Sequence, residues 1–193
     1  MAKTDKSHRV MPDRHNLFFG IFPDSSVCYA IAAALRALCP GARPERRVSP
    51  QRYHLTLHFL GGFAGRLSPD LVHRAACAAA SVRLAPFEFT LDAWGSFRTR
   101  EAPFWLGCNE VPAALAALHG QLLDGLRRQG IPADDARPWV PHVTVLRGAE
   151  RRAATPVPAV HWRVADFHLI DSQLAPRPEY VPLGCWPLLA GAC

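Results

Sequence analysis

A four-residue pattern occurs twice in this chain. His54-Leu55-Thr56-Leu57 and His142-Val143-Thr144-Val145 share the form His, aliphatic, Thr, aliphatic. On a strand, residues two apart point to the same face. Each copy therefore sets a His and a Thr on one face and two aliphatic side chains, for a core, on the other. A chain that carries such a strand in each half folds most simply as two similar lobes. Facing strands would bring two imidazoles and two hydroxyls to one point.

The rest of the chain fits that division. Short apolar runs read as strands at 16–22, 54–60, 87–93, 104–108, 142–146, 162–171 and 180–183, the second ended by Gly61-Gly62. By the same alternation, Leu55, Leu57 and Phe59 point to a core and His58 shares the face of His54 and Thr56. Helices are expected from Asp24 or Ser25 to Leu38, from Ser68-Pro69 to Val82, and from Val111-Pro112 to Gly130. The reasons are capping residues and Pro at the starts, and Leu115, Leu118, Leu122 and Leu126 at helical spacing in the third. Strands often follow one another without a helix between, so the fold class is α+β rather than a doubly wound parallel sheet.

With 49% apolar and 20% charged residues in 193, the chain has the balance of an ordinary soluble globular protein. One bilobal domain over 16–193 is expected, preceded by a polar, mobile tail over 1–15. No run is long and apolar enough for a transmembrane helix, and the polar start lacks the apolar stretch of a secretory signal. The net charge is +6, and 20 of the 22 basic residues are Arg, whose fork can hold two phosphate oxygens. An Arg-rich composition has a second source, a GC-rich genome, and both readings stand. The six cysteines form no CxxC and none pairs with a His at zinc-finger spacing. Reduced thiols in a cytoplasmic monomer are expected; Cys28, Cys77 and Cys108 lie in apolar runs as small buried hydrophobes.

Two imidazoles and two hydroxyls suit the opening of a cyclic phosphodiester by water. One group must take the water proton and another must protonate the leaving ribose oxygen. Imidazole, with an ordinary pKa of about 6.5, does either near neutral pH. Thr hydroxyls can donate to the non-bridging oxygens that carry the transition-state charge. No metal or other cofactor is required, and no metal-ligand cluster stands out.

Near these motifs, Tyr53 and Trp139 have two open readings, stacking on a terminal base or packing. Phe59 reads as core. His58 either reaches the cleft or faces solvent. Arg43, Arg46, Arg47 and Arg52 form a basic loop before the first motif, and Arg98 and Arg100 a second one; each either steers RNA or is solvated surface.

HLTLHFLG (His54 to Gly61) and PHVTVLR (Pro141 to Arg147) resemble the two signature motifs of the 2H phosphoesterase superfamily, and within it the RNA 2′,3′-cyclic phosphodiesterases, also called 2′-5′ RNA ligases. LFFGIFPDSSV, WGSF, PFWLGC, FHLIDSQLAP and EYVPLGCWPL are similar to other segments of that family, in order. The resemblance implies two pseudo-symmetric lobes with antiparallel sheets around a central cleft. It implies hydrolysis of an RNA terminal 2′,3′-cyclic phosphate to a 2′-phosphate, with reversible 2′-5′ joining of tRNA halves in some members. It further implies that His54 donates a proton to the leaving 3′-oxygen, that His142 activates water, and that Thr56, Thr144 and Arg147 hold the phosphate. Arg147 has the opposite strand parity to His142, so it reaches the phosphate only if the strand ends, twists or bulges after Leu146. The family often has Arg where this chain has His58. Two alternatives remain open: another substrate for the same site, such as 2′-5′ oligoadenylate or a different cyclic phosphate, and a non-catalytic RNA- or nucleotide-binding module.

Overall fold

The computed structural model describes residues 14–97, 103–132, 138–148, 155–174 and 178–189. Eight strands form one antiparallel sheet in the order β6-β3-β4-β5-β2-β1-β7-β8. They are β1 (Arg14–Ile21), β2 (Leu55–Ala64), β3 (Phe87–Ser96), β4 (Phe104–Gly107), β5 (His142–Leu146), β6 (Thr155–Val164), β7 (Asp166–Gln173) and β8 (Glu179–Pro187). Three helices, α1 (Ser25–Leu38), α2 (Pro69–Ala79) and α3 (Ala113–Arg128), complete the α+β architecture among the described residues.

The two motif strands are neighbours at the centre of this order, so the expected lobes are halves of one sheet. β6-β3-β4-β5 is one half and β2-β1-β7-β8 the other. Among the described residues the ladder between β2 and β5 has a single pair, Leu55 with Val143. The sheet is strongly bent. β6 and β7 stand six places apart in the order yet are joined by Ala165 alone. In a flat sheet that separation would be about 29 Å at the usual strand spacing.

This junction corrects the reading of 162–171 as one strand. The run is extended throughout, but it changes partners at Ala165, pairing with β3 before it and with β1 and β8 after it. The Ala165 carbonyl instead accepts from the Leu188 amide at 2.7 Å.

Local chemistry explains the helix ends. The Asp24 carboxylate accepts from the Val27 amide at 2.9 Å and starts α1. Ser68 caps α2, with Pro69 in the first position. Gly130, at φ +65°, lets the chain leave α3. Val27, Ile31 and Leu35 of α1 and Leu115, Leu118, Leu122 and Leu126 of α3 pack with Leu17, Phe19, Leu55, Leu106 and Val143 of the sheet in one core. α2 and α3 touch closely at Gly125, where a Cβ would lie 2.6 Å from the Ala78 carbonyl oxygen.

Leu106 is fully buried in β4, next to the motif strand β5. Leu106→Ala is expected to cost about 2–5 kcal/mol of stability by leaving a cavity. Urea unfolding would measure it, and a cost below about 1 kcal/mol would mean that the site relaxes.

Other boundaries also differ from the sequence reading: β3 runs to Ser96, β6 begins at Thr155, β8 runs to Pro187 and α2 ends at Ala79. β1 starts at Arg14, inside the expected tail, and His15 there meets Asp171 at 2.9 Å; residues 1–13 lie outside the described residues. β2 does not stop at Gly61-Gly62 but runs to Ala64, because Gly61 takes φ 138° and keeps its pairing with Leu17. Cys77 is exposed on α2 rather than buried. No helix among the described residues is long and apolar enough to cross a membrane.

Candidate active site

The seam between β2 and β5 builds the site. With Leu55 opposite Val143, extending the antiparallel register by one residue each way sets His54 across from Thr144 and Thr56 across from His142. Leu55 and Val143 are fully buried, whereas the two His and two Thr side chains are half-buried on the other face. The seam sets the four residues on one face of two neighbouring strands; His54, Thr56 and Thr144 line one cavity, and Thr56 and His142 line the adjoining one.

The two imidazoles are held alike. His54 Nδ1 lies 2.8 Å from the Arg52 carbonyl oxygen, and His142 Nδ1 lies 2.7 Å from that of Val140, in each case two residues earlier. A carbonyl oxygen only accepts, so Nδ1 carries the hydrogen in both rings, and a neutral ring keeps its lone pair on Nε2.

Burial pushes His54 down to about 4, against the opposing Arg52 carbonyl and with help from the charges of His142, Arg52 and Arg147. Burial also lowers His142, opposed by the Val140 carbonyl. Both shifts favour the neutral ring in the free protein.

A bulge falls on the last residue of each motif, and the two are equivalent. In β2, Gly20 pairs with Thr56 and Phe19 with His58, which leaves Leu57 extra. In β5, Trp105 pairs with Thr144 and Phe104 with Leu146, which leaves Val145 extra. An extra residue reverses the alternation beyond it.

In β5 the bulge buries Val145 and Leu146 together and returns Arg147 to the face of Thr144. Arg147 accordingly lines one cavity with His54, Thr56 and Thr144. The condition set by its parity is met one residue earlier than expected. In β2 the same device buries Leu57 and His58 and turns Phe59 outward.

Phe59 is therefore corrected: it is 51% exposed and lines the cleft instead of the core. His58 is 5% exposed, stacks on His119 and donates from Nε2 to the His119 carbonyl oxygen of α3 at 2.9 Å; it lines the inner wall of the cavity beside His142 rather than facing solvent.

Tyr53 is also corrected: it is 2% exposed and packs in the core, where no base can stack on it. Trp139 stands at the open side of the seam. Its Nε1 donates to the Thr56 carbonyl oxygen at 3.1 Å, and its ring stacks on His119, with centroids 4.1 Å apart. Trp139, His119, Phe59, Phe97 and His142 line a second cavity next to the first, and Thr56 belongs to both.

Alternation alone did not reveal an aromatic wall around His54. Phe18 and Phe22 lie against its ring, and Tyr180 meets it edge-on at 5.4 Å. The Arg52 guanidinium sits 4.1 Å from the centre of the Tyr180 ring. Phe97 meets His142 edge-on at 4.7 Å. Phe18 carried a signal in the sequence, since it alternates with the core residues Leu17 and Phe19. Tyr180 carried none, because it arrives from β8 across two other strands.

Of the basic loop, Arg52 lines the cleft, while the Arg46 and Arg47 backbones extend β5 by pairing at Arg147 and Leu146. The Arg43 backbone carbonyl closes a turn with Arg46. Arg98 and Arg100 lie outside the described residues.

Residues 23–175 match the model of the 2′-5′ RNA ligase superfamily. The chain belongs to that superfamily. It is 34% identical over 146 residues, 74% of its length, to the RNA 2′,3′-cyclic phosphodiesterase of Escherichia coli K12, of which the match covers 80%. It is 32% identical to an RNA 2′,3′-cyclic phosphodiesterase of Geobacillus stearothermophilus, covering 74% of this chain but 47% of that protein. Among solved structures, Escherichia coli LigT complexed with 3′-AMP matches with a TM-score of 0.75 at 31% identity, covering 91% of this chain and 98% of that one. A protein of Thermus thermophilus, TT0787, matches with a TM-score of 0.72 at 26% identity, covering 92% of this chain and all of that one.

Proposed function

We propose that this chain hydrolyses the terminal 2′,3′-cyclic phosphate of RNA to a 2′-phosphate, with His54 and His142 as the proton-transfer pair. The observation that carries this reading is the Leu55–Val143 seam, which sets two His-x-Thr strands side by side with each Nδ1 tied back and each Nε2 left for chemistry. The names of the bacterial relatives agree with it, as does the nucleotide bound in the LigT structure.

In the proposed reaction, water attacks phosphorus as its proton passes to His142 Nε2. The bond from phosphorus to the 3′-oxygen breaks, and His54 Nε2 supplies the proton that this oxygen gains. Thr56, Thr144 and Arg147 would donate to the non-bridging oxygens, whose charge grows in the transition state. The assignment of donor to His54 and acceptor to His142 follows the family pattern. Phe59 and Trp139 offer apolar surface for the terminal nucleoside. The proposal extends to a monomer acting in the cytoplasm on RNA ends that include tRNA halves, with reversible 2′-5′ joining.

The test is a short RNA ending in a 2′,3′-cyclic phosphate, incubated with the protein in EDTA. A 2′-phosphate product is expected. A 3′-phosphate, turnover only of 2′-5′ oligoadenylate, or binding without turnover would each refute the reading.

Acid–base work by two depressed histidines also predicts a pH profile. The general acid must be protonated in the free enzyme, and burial holds both rings below the ordinary value. The kcat/KM profile should therefore be a bell centred below about pH 6.5, the ordinary imidazole value. Bound phosphate is an anion and favours the imidazolium, so the kcat profile should lie at higher pH. A kcat/KM maximum above about pH 7 would contradict this environment.

A further inference from the structure

We propose that Asp166, His168 and Cys185 form a binding site for a divalent transition-metal ion of the zinc class, separate from the proton-transfer pair. The sequence hides the cluster, because Cys185 lies far from any His in the chain. Strand pairing reveals it: Cys185 of β8 sits directly opposite His168 of β7, and Asp166 is two residues before His168 on the same face.

The three ligand atoms lie within 4.8 Å of one another. His168 Nε2 is 2.9 Å from Asp166 Oδ1 and 3.9 Å from Cys185 Sγ. A tetrahedral zinc ion, with Zn–S about 2.3 Å and Zn–N about 2.1 Å, sets sulfur and nitrogen about 3.6 Å apart and nitrogen and oxygen about 3.4 Å apart. Both observed separations are within about 0.5 Å of those values, and the third, between Asp166 and Cys185, is at most 4.8 Å, a gap that side-chain rotation can narrow.

The donor set decides the class of ion. Thiolate, imidazole and carboxylate together suit zinc and its neighbours, whereas calcium and magnesium take oxygen ligands. Two of the ligands are anionic when bound, which balances a divalent charge. The scaffold is a paired β-hairpin rather than a loop, and the Phe22 ring holds the His168 ring edge-on at 5.4 Å. Asp166 and Cys185 reach solvent, so water can take the fourth position. Phe22 also packs against His54, which places the proposed ion behind the catalytic wall and outside the cleft.

Without an ion the same residues make an ordinary Asp–His pair, and the experiment separates the two. The full chain, cleared of metal, is titrated with zinc against a chromophoric chelator, and with cobalt as a spectroscopic probe. One equivalent should bind, and the cobalt form should show thiolate-to-metal charge-transfer absorption. Cys185→Ser and His168→Gln should each weaken binding at least about tenfold, and Cys185→Ser should abolish the charge-transfer band. Cys77→Ser should change neither, although Cys77 Sγ lies 3.6 Å from His73 Nε2 on α2. Cys185 is exposed, so the folded state should survive its replacement, with thermal unfolding as the check. No saturable binding, binding unchanged in Cys185→Ser, or binding lost in Cys77→Ser would each overturn the proposal. The readout is binding, so it stands or falls independently of the proposed hydrolysis.

Discussion

Replacing His54 or His142 by alanine is expected to lower kcat on an RNA 2′,3′-cyclic phosphate by about 10²–10⁴-fold. The two rings lie across one seam, and each has a single free nitrogen. If one gives a proton as the other takes one, they serve the same step. The double variant should then fall well short of the product of the single losses, because an acid without its base has little left to assist. KM should change less than kcat in the single variants, since Thr56, Thr144 and Arg147 still line the cavity. A second readout is independent of turnover. The charge of His142 is one cause of the low His54 pKa, so His142→Ala should raise His54 from about 4 in an NMR titration. Full activity in either single variant would remove that histidine from the mechanism. An unmoved His54 titration would mean that the rings do not sense each other.

Much of this site was legible from alternation, and the part that was not has one physical cause. The polar and aliphatic residues of each motif lie on the faces that period two assigns, because the strand is regular from His to Thr. Beyond Thr56 and Thr144 each strand carries an extra residue, and alternation counts wrongly from there. A bulge is a property of pairing with a neighbour, here β1 or β4, and a single strand gives no sign of it. That is why Phe59 turned outward and why Arg147 looked misdirected. The early start of β6, at Thr155 rather than 162, also depends on its place in the sheet. Pro156 and Pro158 argue against a strand in the middle of a sheet, but β6 is at the edge, where a missing amide donor costs little. The helices were easier to read because their signals are local: a cap, a first-turn proline and leucines at helical spacing.

Gly107→Ala is expected to lower kcat/KM by about 10–10²-fold, although Gly107 touches no substrate. Gly107 ends β4 and pairs with His142. A Cβ there would lie 2.7 Å from the Pro141 carbonyl oxygen and 3.2 Å from the Trp105 ring. The first of these is backbone and cannot swing aside. The peptide entering β5 must therefore move, and it carries His142 with it and sits next to the Val140 carbonyl that fixes the ring. Displacements near 1 Å in a catalytic group can cost about 10²-fold, whereas overpacking a strand end costs about 1–3 kcal/mol of stability. The variant should thus remain folded and still bind a 2′-nucleotide product, while its kcat falls. Gly20→Ala is the matched comparison, because Gly20 pairs with Thr56 on the other motif strand. Its Cβ would lie 3.0 Å from the Leu55 carbonyl oxygen, a milder approach, so a smaller loss is expected there. If Gly107→Ala turned over within twofold of the parent, the start of β5 would be compliant, and the position of His142 would depend on its own hydrogen bond rather than on the strand beside it.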